Sequence, residues 1–283
     1  MRDFAVFILT HGRPDRVFTI ESLRQAGYKG KIYLVVDDED KTANEYIERF
    51  GKDNVIIFNK KEAVENTDDA DIFDDKRAVV YARNKTFDIA KDLGLKYFLV
   101  LDDDYTLFRF RYATNGVLHG VQMKNINEVI EIFIDFLEKS GALTVSFSQG
   151  GDFIGGTGSN VWRRVLPRKS MNVFFCKTDR PFKFLGKINE DATMYVVNGI
   201  RGKLCFTYAP VSVEQKDTQS NPGGLTDIYL NLGTYIKSFY TVMYAPSCVK
   251  VAPMGGGHYR CHHRIYWDNC TPKILSEKWK KES

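Results

Sequence analysis

Residues 97–105 read YFLVLDDDY, an apolar run that ends abruptly in Asp102, Asp103 and Asp104. Tyr97 to Leu101 is an uninterrupted apolar stretch, the pattern of a buried strand. Three consecutive carboxylates at its end are hard to explain by folding alone. Like charges that close repel, and the strand beneath them strips part of their water. A divalent cation relieves that cost, because hard oxygen ligands suit Mg²⁺ or Mn²⁺. In open α/β sheets, ligands bind outside the carboxyl ends of strands, which is where these acids sit. A metal and phosphate site therefore outranks a solvated acidic turn.

The run is the last of a series. Phe4–Thr10 reads as a strand, followed by the loop His11–Arg16 and a helix from Val17 to Ala26. Lys31–Val36 is a second strand ending in Asp37-Asp38-Glu39-Asp40, Thr42–Phe50 is helical, and Val55–Phe58 is a short strand. Arg77–Leu93 is an amphipathic helix, with Val80, Ala82, Phe87, Ile89 and Leu93 set among charges and Gly94 ending it. This βαβα rhythm predicts an α/β fold with a Rossmann-like, mainly parallel sheet and right-handed crossovers. After Asp104 the pattern changes to α+β: a helix over Ile126–Ser140, a strand over Leu143–Phe147 and a helix around Leu225–Lys237, among glycine-rich loops. No repeat, low-complexity tract or linker divides the 283 residues, so a single domain is expected, with residues 1–105 and 106–283 as its two halves.

Composition narrows the class. With 43% hydrophobic and 27% charged residues the chain is globular, and no apolar run approaches the roughly 18 residues of a membrane span. The N-terminus enters a strand at once, leaving no room for a signal peptide. Cys176, Cys205, Cys248, Cys261 and Cys270 are scattered without CxxC spacing, which predicts reduced thiols, a cytoplasmic setting and no zinc module. The net charge of +4 is unevenly spread: DDED at 37–40 and DDADIFDD at 68–75 contrast with eight arginines and lysines between residues 162 and 187. Trp162, Phe174, Phe175, Phe182 and Phe184 lie among those cations. Cations with aromatics suit nucleic acid, where phosphates meet charge and bases meet rings. A solvated basic face is the plainer alternative.

Other polar groups fall at the ends of the predicted strands. Gly12 permits unusual backbone angles, while Arg13 and Arg16 offer planar donors to phosphate or to a base edge, or are simply the exposed arginines of a β–α turn. Asp37 or Asp38 can accept from ribose hydroxyls or a base amide, and Arg83 and Lys85 start a helix aimed at the same rim. Asn189-Glu190-Asp191 precedes an apolar run, and a carboxylate there can act as a general base or simply as a helix cap. Residues 255–264, GGGHYRCHHR, gather His258, His262 and His263 with Arg260 and Arg264. Gly150–Gly158 lacks the GxGxxG register of a dinucleotide fingerprint, and Asn221-Pro222-Gly223-Gly224 reads as a turn.

As an ordered set, FILTHGRPDRV, YLVVDDED and ARNKTFDIAKDLGLKYFLVLDDDY resemble the nucleotide-binding half of a GT-A glycosyltransferase over residues 4–105. The resemblance implies a UDP-sugar donor and a Mn²⁺ or Mg²⁺ cofactor, with Asp102 and Asp104 as the Asp-x-Asp pair and Asp103 facing the sugar. It implies nucleotide contacts from Thr10, Arg13, Asp37, Asp38 and Arg83. It also implies Asp191, then Glu190, as the base of an inverting transfer. A late histidine (His258, His262 or His263) would complete the metal's coordination, with Arg260 and Arg264 clamping diphosphate. The DDDY, NED and GHYRCHHRIYW segments further resemble the glycosyltransferases associated with TET and J-binding-protein dioxygenases, linked to hypermodified pyrimidines in phage and kinetoplastid DNA. That implies transfer of a sugar, glucose first, to the 5-hydroxymethyl group of a modified pyrimidine in duplex DNA, in the host cytoplasm if the chain is phage-encoded. The competing readings are a glycan or protein acceptor, a nucleotidyltransferase, and a non-catalytic nucleic-acid-binding module.

Overall fold

The apolar runs of the N-terminal part become strands buried on both faces. In the computed structural model, residues 3–70, 76, 78–215, 226–254 and 260–272 are described, with their side chains except at 226–234, 254 and 260. β1 (Phe4–Leu9) is buried at every position. β2 (Lys31–Asp37), β3 (Val55–Phe58) and β4 (Tyr97–Asp102) run parallel with it in the order β3-β2-β1-β4. The crossovers are α1 (Phe18–Gln25), α2 (Ala43–Phe50), α3 (Lys60–Glu65) and α4 (Val79–Asp92). Alternation sorts the strand residues. Val6, Ile8, Leu34, Val36, Leu99 and Leu101 enter one core, and Ala5, Phe7, Val35, Phe98 and Val100 enter the other.

The second half extends the same sheet. It contains β5 (Tyr105–Thr114), β6 (Val117–Gln122), α5 (Ile126–Ser140), β7 (Thr144–Gln149), α6 (Asn160–Arg164), β8 (Phe174–Lys177), α7 (Glu190–Ile200), β9 (Cys205–Gln215) and α8 (Thr226–Tyr244). The full order is β3-β2-β1-β4-β8-β7-β9-β5-β6. The parallel block passes at β4 into antiparallel pairing with β8, and only β7 and β9 are parallel beyond that point. β10 (Val249–Met254) and β11 (Arg260–Ile265) form a separate antiparallel ribbon. Among the described residues, no helix is long and apolar enough to cross a membrane.

Three differences from the sequence reading have physical causes. The segment after Asp104, assigned no strand, is the β5–β6 hairpin. Its turn is Asn115-Gly116, both at positive φ, and alternating arginines mask the apolar period. Helix α8 runs on to Tyr244 because Ser238, Tyr240 and Thr241 continue its buried face. Phe174, Phe175, Phe182 and Phe184 are all core residues, so they are not a stacking platform for bases. The cations among them are engaged too: Lys177 with Glu138 and Asp179, and Arg180 with the Leu137 and Ala142 carbonyls. Arg163 and Arg164 remain exposed. The Asn221–Gly224 turn lies outside the described residues.

The chain enters α7 through a tight corner. Gly186 has φ +84°, its N–H donates to the Asp68 carbonyl, and an added Cβ would lie 3.0 Å from Tyr240 and 3.1 Å from Tyr244. Gly186→Ala is therefore expected to lower stability by about 1–3 kcal/mol, the usual cost of a side chain forced into this backbone region. Urea unfolding checks it, and an unchanged midpoint would mean that the corner yields freely.

Candidate active site

The three acids at the end of β4 have three different surroundings. Asp103 points inward and is almost fully buried. Its Oδ2 accepts from Thr10 Oγ1 at 2.6 Å and from Arg13 Nε at 2.9 Å, which ties the loop after β1 to the end of β4. Thr10 Oγ1 also lies 2.8 Å from the Tyr46 hydroxyl. Thr19, at the start of α1, holds the backbone of the turn. Its hydroxyl donates to the Asp102 carbonyl at 2.6 Å, and its N–H donates to the Asp103 carbonyl at 3.2 Å. Its oxygen in turn accepts from the Tyr105 N–H at 3.0 Å. Asp102 and Asp104 are left half-buried at the rim. Burial, with Asp102 and Asp103 beside it, pushes the Asp104 carboxyl up to about 7. Among the described residues no cation pairs with it. A carboxylate so placed fits a divalent ion, and Asp102 and Asp104 are the residues able to hold one.

Beneath the rim lies Arg83, from the first half of α4 and only 2% exposed. One arm of its guanidinium donates to both oxygens of Asp102, at 3.2 and 3.3 Å, and to Asn172 Oδ1 at 3.4 Å. The other arm forms a short ion pair with Glu190, the first residue of α7. The rings of Phe174 and Phe184 lie 5.1 and 5.7 Å from its central carbon. One buried cation thus joins the acids of β4 to those of α7. Burial raises the proton affinity of Glu190, with Arg83 opposing the rise and Asp191 and Asp102 adding to it. Asp191 is raised by the same burial, again against Arg83. Its Oδ1 accepts from the Ala192 N–H, and among the described residues nothing donates to its Oδ2.

Asn189, just before this helix, adopts a left-handed φ of +58°. Its amide nitrogen donates to Thr241 Oγ1 at 2.5 Å and lies 3.1 Å from His263 Nδ1. A non-glycine residue held in this conformation needs surroundings that over-determine it, and α8 and β11 supply them. Burial, with His262, Lys237 and Lys169 nearby, pushes His263 down to about 3, so its ring is neutral.

Several predicted site residues stand elsewhere. Arg83 lies below the rim rather than on it, held there by two carboxylates at its terminal nitrogens and by two rings, while its Nε has no partner among the described residues. Asp103 is turned into the protein, where it braces the loop and cannot face a sugar. Lys85 pairs with Glu62 and Asp88 on the outer side of α4. Asp38 is exposed and accepts from the Lys60 N–H. Asp37 accepts from His11. Among the described residues no three histidine, cysteine or acidic side chains gather as a metal cage, so His262 and His263 are not brought into one ligand set with Asp102 and Asp104. Arg264 faces outward over the Tyr266 ring. His258 and the side chain of Arg260 lie outside the described residues. Thr19, Asn172 and His11 are the contributors that the sequence reading missed. Only His11 carried a signal, as the residue preceding the Gly12-Arg13 pair.

A family model described as TET-Associated Glycosyltransferase matches residues 4–224. No curated protein sequence matches the chain. Among solved structures, the fold is similar to that of glucosyl-3-phosphoglycerate synthase from Mycobacterium tuberculosis in complex with Mg²⁺ and uridine diphosphate. The TM-score is 0.49 and the identity 8%, covering 93% of this chain and 88% of that one. The complex of the same synthase with Mn²⁺ and UDP-glucose gives a TM-score of 0.48 at 7% identity, covering 94% and 86%. S. aureus TarS 1–349 in complex with UDP-GlcNAc gives 0.45 at 11% identity, covering 84% and 66%.

Removing the Arg83 charge leaves Glu190 and Asp102 without their buried counter-ion. Arg83→Met is expected to cost about 3–5 kcal/mol at neutral pH. The deficit should shrink toward acid pH, since protonation of Glu190 and its neighbours removes the uncompensated charge. Arg83→Lys should fall between, keeping the charge but losing the fork that reaches both acids. Denaturant unfolding at two pH values checks this, and a deficit that does not vary with pH would contradict the electrostatic account.

Proposed function

The chain belongs to the TET-associated glycosyltransferase family, and from that premise we propose that it moves a sugar, glucose first, from a UDP-sugar to the 5-hydroxymethyl group of a modified pyrimidine in DNA. The observation that carries the donor side is Asp104. It is a half-buried carboxyl at a strand end, raised to about 7 by burial and two neighbouring acids and paired with no cation among the described residues. Such a group is suited to Mg²⁺ or Mn²⁺ held jointly with Asp102. Bound there, the ion would supply positive charge next to the departing diphosphate. The UDP and UDP-sugar in the related structures are consistent with the same donor class. Thr10, Arg13 and Asp103 fix the loop beside this site, so their part is to shape the nucleotide pocket.

For the acceptor side, Asp191 is the preferred base. Glu190 is held by Arg83, whereas Asp191 keeps one oxygen without a donor among the described residues and sits in the first turn of α7. Burial raises its affinity for a proton, which suits a group that must take one from a hydroxyl. Attack by that hydroxyl on the face opposite the leaving diphosphate inverts the anomeric centre. The acceptor would approach over the glycine-bearing loop 150–158, which exposes Ile154 and is followed by exposed Arg163 and Arg164. These arginines and the family's association with TET enzymes support DNA. The burial of four phenylalanines removes the stacking support, which makes a glycan or protein acceptor the second reading. Five free cysteines, four of them buried, are consistent with a reducing cytoplasm.

UDP-glucose hydrolysis without acceptor is expected to depend on Mn²⁺ or Mg²⁺. It should fall by about 100-fold or more in Asp104→Ala, the scale seen when one group stabilising a developing charge is removed. The Mn²⁺-induced rise in melting temperature should vanish in the same variant. Undiminished hydrolysis in Asp104→Ala would remove the metal assignment. With duplex DNA carrying 5-hydroxymethylcytosine or 5-hydroxymethyluracil, mass spectrometry should find the gain of one hexose. A gain on a glycan and none on DNA would select the second reading.

A further inference from the structure

The loop after β1 carries a half-exposed imidazole that no step above uses. His11 Nδ1 lies 2.6 Å from Asp37 Oδ2 and 3.6 Å from Asp40 Oδ2, while the ring itself is half open to solvent. Both carboxylates are themselves fixed. Asp40 is 1% exposed in its side chain and accepts from the Gly12 N–H at 2.7 Å and from the Thr42 N–H and hydroxyl at 2.8 and 2.7 Å. Asp37 closes β2, with Lys60 Nζ 3.5 Å from its Oδ1. Lys60 is shared with Glu39 at 3.2 Å. Nδ1 therefore faces a carboxylate in every protonation state and keeps its proton. Nε2 has no partner among the described residues.

This arrangement makes Nε2 change character with pH. As imidazolium, the ring presents an N–H there. When the ring is neutral, the remaining proton stays on Nδ1 against Asp37, and Nε2 becomes an acceptor. The loop lies on β1, between the acid-bearing ends of β2 and β4, and Arg13 two residues on is tied to Asp103. A nucleotide laid across these strand ends would pass His11.

Resting on the nucleotide-sugar reading above, we propose that His11 makes donor binding proton-linked: its Nε2–H, as imidazolium, donates to an oxygen of the nucleotide, and Asp37 and Asp40 are positioning residues that aim the ring. Asp37 then serves the nucleotide only through His11. The charged groups facing the ring are Asp37 and Asp40 from the end of β2 and Lys60 from α3. The hydrogen bond and charge of Asp37, with help from Asp40, raise the proton affinity of His11 above the usual 6.5, against burial and Lys60. The sign follows from that direction. The contact is complete below the raised value and is lost as pH rises through it.

Calorimetric titration of the full-length protein with UDP and Mg²⁺, from mildly acid to alkaline pH, tests this in wild type and in His11→Gln. Asp104 and the phosphate titrate alike in both proteins, so the ratio of their affinities isolates His11. The wild type should bind about tenfold or more tightly at acid pH, the scale of one hydrogen bond to a charged group. That advantage should disappear at alkaline pH, and Asp37→Asn should move its midpoint lower. Repeating the titration with uridine distinguishes a nucleoside oxygen, for which the advantage persists, from a phosphate oxygen, for which it is lost. A wild-type to His11→Gln ratio that is constant with pH overturns the proposal. Failure of wild type to bind UDP at any pH would instead overturn the donor reading on which it rests.

Discussion

The site depends on one desolvated guanidinium. Arg83 leaves water entirely, a cost that is met only because carboxylates reach it from both sides, Asp102 from the end of β4 and Glu190 from the start of α7. Phe174 and Phe184 supply the walls, and their rings offer the weaker attraction of a π face to a cation. A buried ion pair of this kind adds little net stability, since desolvation consumes most of the Coulombic gain. What it contributes is position. The two acids are far apart in sequence, and each loses a great deal if the other or the arginine moves. The ends of β4 and α7 are thereby fixed relative to each other, which on the proposed reading is the separation between donor site and acceptor base.

Around that pair the site holds more negative charge than its own cations neutralise. Among the described residues, Asp102, Asp103, Asp104, Glu190 and Asp191 have Arg83 and Arg13 within ion-pair reach, with Lys237 and Lys169 acting on Asp191 without an ion-pair contact. Burial raises the proton affinity of Asp104, Glu190 and Asp191, so keeping them ionised costs stability. On the proposed reading that cost is offset when a cation and a proton are bound there. The excess is confined to groups at the rim and the helix start, while Asp103, deepest of the triplet, has its Oδ2 engaged by both Thr10 and Arg13. The division is one of depth: the inner acid maintains the loop, and the outer ones remain available.

How much of this could be read from residues alone differs between the halves. The parallel block was legible because each strand is an unbroken apolar run and each helix has a period, and because acids at strand ends have few structural explanations. The second half was less so. In β5, arginines at 109 and 111 interrupt the apolar pattern, although both form ion pairs with Glu214 of the neighbouring β9. In the 162–187 stretch, the same interleaving of rings and cations suggested a nucleic-acid surface. The four phenylalanine rings proved to be core, with Lys177 and Arg180 reaching out to acids and carbonyls, whereas Trp162 is half-buried and Arg163 and Arg164 are exposed. Within the triplet, sequence could not tell which aspartate turns inward, since Thr10 and Arg13 make that choice from ninety residues or so away in the chain. Nor could it show that Arg83 belongs under the site, because that follows from Glu190 arriving at its other side.

The start of α7 is held from outside as well as from within. Arg83 fixes Glu190 from the core, while Thr241 of α8 and His263 of β11 fix Asn189 from the opposite side. The residues after β11 add a further clasp: the Arg168 guanidinium donates to the Cys270 carbonyl and lies over Trp267, which stacks on Tyr195 of α7. These C-terminal contacts fall beyond residue 224, where the family match ends. The matched region therefore supplies the acids, and the segment after it supplies part of their restraint. Asn189 shows why that restraint is needed. A left-handed residue at the entry to a helix relaxes unless neighbours oppose it, and relaxation would swing Glu190 and Asp191 together away from Arg83. The neutral ring of His263, unable to compete as a charge, opposes that movement by packing and one hydrogen-bonding nitrogen, leaving the electrostatics of the site to Arg83.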